Sequence, residues 1–258
     1  LHIPVRYCRV RSTLQYRIEL IKMITRKKQD SRDRPKATSL PVGLVSDKKT
    51  TAFLHGSNAF VEELCKGAVF FSHNFFTADE CKAWIEFAEQ IGFEKLSHPQ
   101  SRYIAQRECG RIQLKNWEMA AKIFARLHPI ILQCDRLVPD GFSGNRQPVG
   151  CNGNIRLYKY ERGMSFGKHV DEANIIPEFP SGRTEMTVLI YLSDCIGGAT
   201  RFFRPTKKRN DEGIGFTPKA GSILLHVHGD RCLEHSADSV VQGVKYVLRA
   251  DVVYGAAR

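Results

Sequence analysis

His169-Val170-Asp171 places an imidazole and a carboxylate at positions i and i+2. On a β-strand such side chains share a face and lie about 6.5–7 Å apart along the backbone, so both can reach one cation. A third ligand has to arrive from elsewhere in the fold. The spacing alone is weak evidence. With 9 His in 258 residues, chance supplies ~0.4 His-x-Asp pairs, so the pair needs a context that positions it.

That context changes character along the chain. Thr77-Ala78-Asp79-Glu80 has the pattern of a capping box, and it predicts a helix over about 78–91 with Cys81, Trp84, Ile85, Ala88 and Ile91 on its apolar face. A second helix is predicted over about 117–134, carrying Met119, Ile123, Leu127 and Ile131. Ala68–Phe71 reads as a short strand. After Gly150 the period shortens: 153–160, 184–193, 200–203, 221–228 and 245–254 are short segments rich in Val, Ile, Leu, Tyr and Phe, separated by Gly, Pro, Asn and Asp. Helices followed by many strands predict an α+β protein, a double-stranded β-helix (jelly-roll) core buttressed by N-terminal helices. A dinucleotide-binding fold would need helices alternating with the strands, and neither these nor GxGxxG is present. The organisation expected is a basic tail over 1–50, a helical part over 64–149 and the jelly roll over 150–258.

Five ordered blocks surround the His-x-Asp pair. They are Tyr160-x-x-Gly163-x-x-Phe166-x-x-His169-x-Asp171, Thr187–Ser193 with Tyr191, Gly197-Gly198-Ala199-Thr200-Arg201-Phe202, Pro218-x-x-Gly221-x-x-Leu224, and His235…Val241-x-Gly243-x-Lys245. Together they resemble the prolyl 4-hydroxylase-like branch of the Fe(II)/2-oxoglutarate-dependent dioxygenases, the third, fourth and fifth being similar to GGxTxF, PxxGxxLxF and the distal His…V-x-G-x-K ending. The likeness covers roughly 150–254 and, more loosely, the chain from 67.

The resemblance implies that His169, Asp171 and His235 hold Fe(II) as a 2-His-1-carboxylate set, which leaves three positions of an octahedral ion open. Relatives that halogenate replace the carboxylate with a small residue, so Asp171 implies hydroxylation. 2-Oxoglutarate would bind the iron and send its C5 carboxylate into the barrel, where an unpaired charge is costly and needs a cation. Lys245 matches the family position for it. Arg249 turns to the same side of the last strand. Its charge departs from the family pattern; it could clamp the cosubstrate bidentately or pair with Asp251 or another acid, and Lys245 is preferred. Tyr160, Tyr191 and Thr200 match positions that hydrogen-bond 2-oxoglutarate. The implied partners are 2-oxoglutarate, O2 and a peptidyl proline or other protein side chain, with release of succinate and CO2 and with L-ascorbate as reductant. A rival set, His226 and His228 with Glu234 and His235, resembles that of a cupin. Gly221 and His226 enclose four residues where the cupin pattern wants five, and Glu234 and His235 are adjacent. His226 and His228 therefore read as a strand-end and a loop position.

The net charge of +12 invites a nucleic-acid partner until it is localised. Residues 1–50 hold 13 Lys/Arg against 4 Asp/Glu; the other 208 residues hold 26 against 23. The basicity belongs to the tail. There Leu14, Ile18, Ile21 and Thr25 have helical spacing beside basic residues, as in an organellar targeting segment, so a cytoplasmic or organellar location is expected. The strand Lys245–Asp251 does not match the RxNxTxR pattern of the alkyl-lesion repair branch, so nucleic acid is not expected as a partner. No stretch approaches the roughly 20 apolar residues of a transmembrane span. The eight cysteines form no CxxC pair and read as reduced thiols. Residues 29–50 read as a linker, Arg102–Arg111 as a basic segment near the site mouth or a surface loop, Asn174–Arg183 as a loop over the site where a lid could lie, and Lys207–Glu212 as a hairpin tip.

Overall fold

The computed structural model describes residues 44–45, 60–100, 105–138, 146–205 and 212–256, all within one unit of residues 39–258. The amphipathic pattern at 14–28, most of the 29–50 stretch, residues 102–104 and the hairpin tip 207–211 lie outside them. Leu44 and Val45, read as linker, are buried, and the Leu44 carbonyl accepts from the Trp84 indole at 2.9 Å.

Helix α1 (Ala78–Ile91) starts where the capping pattern predicts: Thr77 Oγ1 accepts from the Glu80 amide, and Glu80 accepts back from the Thr77 amide. Its buried face is Glu80, Cys81, Trp84, Phe87 and Ala88. Ile91, the last residue of the helix, is exposed, and Phe87 is buried one turn before it. Helix α2 (Trp117–Leu137) buries Met119, Ile123, Leu127 and Ile131 as expected and runs three residues beyond Cys134. The helices are tied together by Arg126 on α2, which donates to both Glu80 oxygens at 2.7 and 2.9 Å and to the Phe75 carbonyl at 3.0 Å. Arg126 and Glu80 are almost fully buried, and each supplies the other's countercharge.

The described strands are β1 (Glu62–Cys65), β2 (Val69–Ser72), β3 (Glu94–His98), β4 (Arg107–Lys115), β5 (Arg146–Cys151), β6 (Asn154–Tyr160), β7 (Phe166–His169), β8 (Arg183–Tyr191), β9 (Cys195–Gly197), β10 (Thr200–Phe203), β11 (Ile214–Phe216), β12 (Ile223–Val227), β13 (Glu234–Ala237), β14 (Val240–Gly243) and β15 (Lys245–Ala256). Two antiparallel layers make the barrel, β12-β8-β15-β6 and β7-β13-β10-β11, with β4 joining β6 to β7. This is the expected jelly roll. Tyr158, Tyr160, Tyr191, Leu224 and Val247 of the first layer meet Phe202 and Phe216 of the second in one apolar cluster. Strand β8 is buried at nearly every position, as a strand covered on both faces must be.

Gly221 closes the turn into β12 at φ +78°, and a Cβ there would stand 2.3 Å from the Phe76 carbonyl oxygen. Gly221→Ala is expected to destabilise the fold by about 1–3 kcal/mol, read as a lower denaturation midpoint at unchanged slope.

Candidate active site

His169 ends β7 and is paired in register with His235 on β13, so their rings meet with centroids 4.2 Å apart. Asp171 follows two residues later, its Oδ2 3.8 Å from His235 Nε2. One donor atom from each of the three lies within 4.8 Å of the others, a set that could hold a metal ion. Their tautomers are prepared for it. His169 Nδ1 lies 2.9 Å from the Gly167 carbonyl and His235 Nδ1 2.9 Å from that of Leu233. Each Nδ1 therefore carries the proton it donates, and each Nε2 keeps its lone pair. Burial, reinforced by His235, pushes the His169 pKa down to about 4; burial also lowers that of His235, so both rings are neutral near pH 7.

Asp171 sits in a dense polar network. Burial would raise its pKa, but Arg249 and the surrounding imidazoles outweigh burial and hold it well below the usual carboxylate range. Arg249 grips both carboxylate oxygens, at 3.2 and 3.0 Å, and donates through Nε to Asp251 at 3.1 Å. Thr187 donates to Asp171 Oδ2 at 2.8 Å, so its oxygen is left to accept from His228 Nε2 at 2.7 Å. Arg156 pairs with Asp251 from the other side. Alternation does turn Lys245 and Arg249 to one side of β15, but Arg249 is committed to acids of the protein. Its pairing with Asp251 is the one named from the sequence; its pairing with Asp171 is not visible there.

Lys245 is the opposite case. It is 2% exposed and makes no ion pair among the described residues. Its Nζ donates to the Gly198 carbonyl at 2.6 Å and to Thr200 Oγ1 at 3.4 Å, while Tyr191 donates to Thr200 at 2.7 Å. The rings of Tyr160 and Tyr191 stand 5.4 and 5.6 Å from the ammonium. Burial outweighs the pull of Cys195 and Asp238 and lowers the Lys245 pKa to about 8. Lys245, Tyr160, Thr200, His169, Asp171, His235 and Arg249 all line one pocket of about 460 Å³, its mouth included. Tyr191, beneath Thr200, supports that wall.

Two further pocket residues were named from the sequence without being assigned to this site, His226 in the rival set and Arg107 within the basic segment 102–111. His226 lies within β12, not at its end; it is 2% exposed, its Nε2 is 3.5 Å from Asp171 Oδ2, and its ring is 4.4 Å from that of His235. The signal was available: Leu224 packs inward, and the residue two positions on shares its face. Glu234 does face away, toward Lys168 at 3.4 Å, so the rival cupin set does not assemble. His228 is buried beyond the strand end and bonds Thr187, outside the pocket lining. Arg107 opens β4 and brings its guanidinium within 4.6 and 4.3 Å of the Tyr158 and Phe166 rings, in the pocket. Of the two alternatives read for 102–111, site mouth or surface loop, the position of Arg107 fits the first. The Asn174–Arg183 loop is tied down: Asn174 and Thr184 exchange hydrogen bonds, Ile176 bonds Gly182, and Phe179 is buried against Trp117.

Residues 155–250 match the family model described as 2OG-Fe(II) oxygenase superfamily. No curated protein matches at a significant level. Among solved structures, a prolyl hydroxylase from Trichoplax adhaerens, in complex with a hypoxia inducible factor oxygen degradation domain peptide fragment, is similar over 80% of this chain and 93% of its own, at 17% identity and TM-score 0.52. A viral collagen prolyl hydroxylase from Paramecium Bursaria Chlorella virus-1, in its 2OG complex, is similar over 73% and 96%, at 18% identity and TM-score 0.49. At such identities the structural likeness is one of fold. The sequence match adds to this: the strands that bring His169, Asp171 and His235 together lie within residues 155–250, the part of the chain that matches the 2OG-Fe(II) oxygenase superfamily, and this supports a 2-oxoglutarate-dependent dioxygenase.

Proposed function

We propose that the pocket hydroxylates an unactivated C–H bond, most favourably of a peptidyl proline or another protein side chain, with Fe(II) held by His169, Asp171 and His235. The donor set fits that ion: two neutral imidazoles with their Nε2 lone pairs free and one ionised carboxylate. Bound there, Fe(II) would activate O2 for hydroxylation coupled to decarboxylation of 2-oxoglutarate, releasing succinate and CO2. L-Ascorbate, as reductant, belongs to the same reading.

The observation that carries the proposal is Lys245. A fully buried ammonium with no acid partner among the described residues, in the same pocket as three metal-competent donors, is a place for a dianionic cosubstrate's distal carboxylate. Thr200, held by Tyr191, adds a hydroxyl beside it. Arg249 and Thr187 orient Asp171, leaving the carboxylate one rotamer from which to meet the ion. Tyr158, Phe166 and Val247 keep the pocket apolar between these polar groups. The peptide is put first because the Trichoplax protein of the same fold is solved with one.

Succinate release should be measured with proline-rich peptides, free amino acids and nucleic acids. Stimulation by a peptide above the uncoupled rate is expected; stimulation by nucleic acid alone would overturn the substrate class. The pH dependence follows from Lys245. Its protonated form binds the carboxylate, and its pKa of about 8 in the free protein means that this form is lost as pH rises through 8. The KM for 2-oxoglutarate should therefore climb about tenfold between pH 7 and 9, while low-pH binding is limited by other groups.

A further inference from the structure

We propose that His226, Cys232 and His235 form a second metal site, for a soft divalent cation such as zinc, sharing His235 with the iron set so that the two occupancies exclude one another. One donor atom from each of these residues lies within 4.8 Å of the others. His226 Nδ1 is 4.0 Å from Cys232 Sγ, and the His226 and His235 rings are 4.4 Å apart. Tetrahedral zinc takes nitrogen at about 2.0–2.1 Å and sulfur at about 2.3 Å, so donors roughly 3.5 Å apart surround it. A contraction of about an ångström closes the site.

The second observation is independent of the thiol. His226 is almost fully buried and its Nε2 has no hydrogen-bond partner among the described residues, so no hydrogen bond from that nitrogen fixes the tautomer, and Nδ1, 4.0 Å from Cys232 Sγ, can present its lone pair to the metal. A buried polar atom is ordinarily satisfied, and the iron reading gives this ring no metal to bind, only the Asp171 carboxylate 3.5 Å from its Nε2. Cys232 reaches the cluster because the short 3-10 helix Gly229–Arg231 turns the chain back under β13, where its sulfur accepts the Asp171 amide at 3.3 Å. On coordination the thiol gives up its proton to solvent, and sulfur then binds as thiolate. Thiolate and imidazole select zinc over magnesium or calcium, whereas the set with Asp171 is harder and suits Fe(II). The site itself stands apart from the iron reading; the mutual exclusion rests on it, because only then is His235 contested. Zinc at this position would take a ligand from the iron and switch off turnover.

Co(II) titrated into the metal-free chain is the probe, because a cysteine ligand gives a thiolate-to-cobalt charge-transfer band in the near ultraviolet that a His/Asp set cannot give. The band should appear in the wild type and in His169→Ala. It should be lost in Cys232→Ser and weakened in His226→Phe, with circular dichroism showing both variants folded. It should be suppressed by Fe(II) bound beforehand with 2-oxoglutarate. No band at saturating Co(II), or an undiminished band in Cys232→Ser, overturns the site. An unchanged band in His226→Phe removes that histidine from it. Full intensity alongside one equivalent of bound Fe(II) overturns the exclusion alone. A Cys232-dependent band in a chain that fails to bind Fe(II) leaves the site standing and brings down the iron reading.

Discussion

His169→Ala should reduce uncoupled 2-oxoglutarate decarboxylation to background while the chain stays folded. His169 is only half-buried at the end of β7, and its side chain's hydrogen bond among the described residues is local, from Nδ1 to the Gly167 carbonyl. Its removal therefore takes away a metal donor without opening the core. Asp171→Ala should be equally inactive but less stable. Arg249 would lose two of its carboxylate contacts and keep only Asp251, and a buried charge that loses a partner is costly. The paired measurement is Fe(II) binding, expected at one equivalent per wild-type chain and none per variant. Unchanged turnover in His169→Ala would sink the metal assignment.

Lys245→Ala is expected to cost about 3–5 kcal/mol of cosubstrate binding, the scale for a buried charge that loses its partner. That corresponds to a rise in the KM for 2-oxoglutarate of roughly two to three orders of magnitude or more, with Fe(II) affinity little changed. Arg249→Ala should behave differently. Its guanidinium orients the carboxylate of Asp171, so its loss should weaken Fe(II) retention by about 10–100-fold, as for other groups that hold a metal ligand in place, and raise the 2-oxoglutarate KM less. The contrast is the test. If Arg249→Ala showed the large KM effect and Lys245→Ala did not, the cosubstrate carboxylate would be assigned to the wrong cation.

Much of the architecture could be read from local pattern. The capping box at Thr77 places the start of α1, and the apolar spacing from Met119 to Ile131 places α2, because both signals live within a few residues. The strands at 154–160, 183–191, 200–203, 223–227 and 245–256 were legible from β-branched and aromatic runs bounded by turn residues. Strands β3, β4 and β5 were not: Glu94–His98 and Arg107–Lys115 are polar, and their pairing partners supply the reason they are strands. Phe87 is buried on α1 and Ile91, at its last position, is not, since the neighbouring elements decide how far along a helix is covered.

The His169, Asp171 and His235 cluster shows the same division. Sequence alone determined that an imidazole and a carboxylate stand two residues apart, that an ordered set of blocks surrounds them, and that Lys245 and Arg249 turn to one side of β15. The strand face expected for the pair stops at His169, and Asp171 lies just beyond the end of β7. It could not apportion the two cations, because that depends on which acids the folded barrel places nearby. Tertiary structure sends Asp171 and Asp251 to Arg249 and leaves Lys245 buried with no ion pair among the described residues. It also brings His226 and Cys232 to the edge of the same cluster. Side-chain direction follows from local alternation, whereas charge pairing is settled only when strands far apart in sequence close around one low-dielectric pocket.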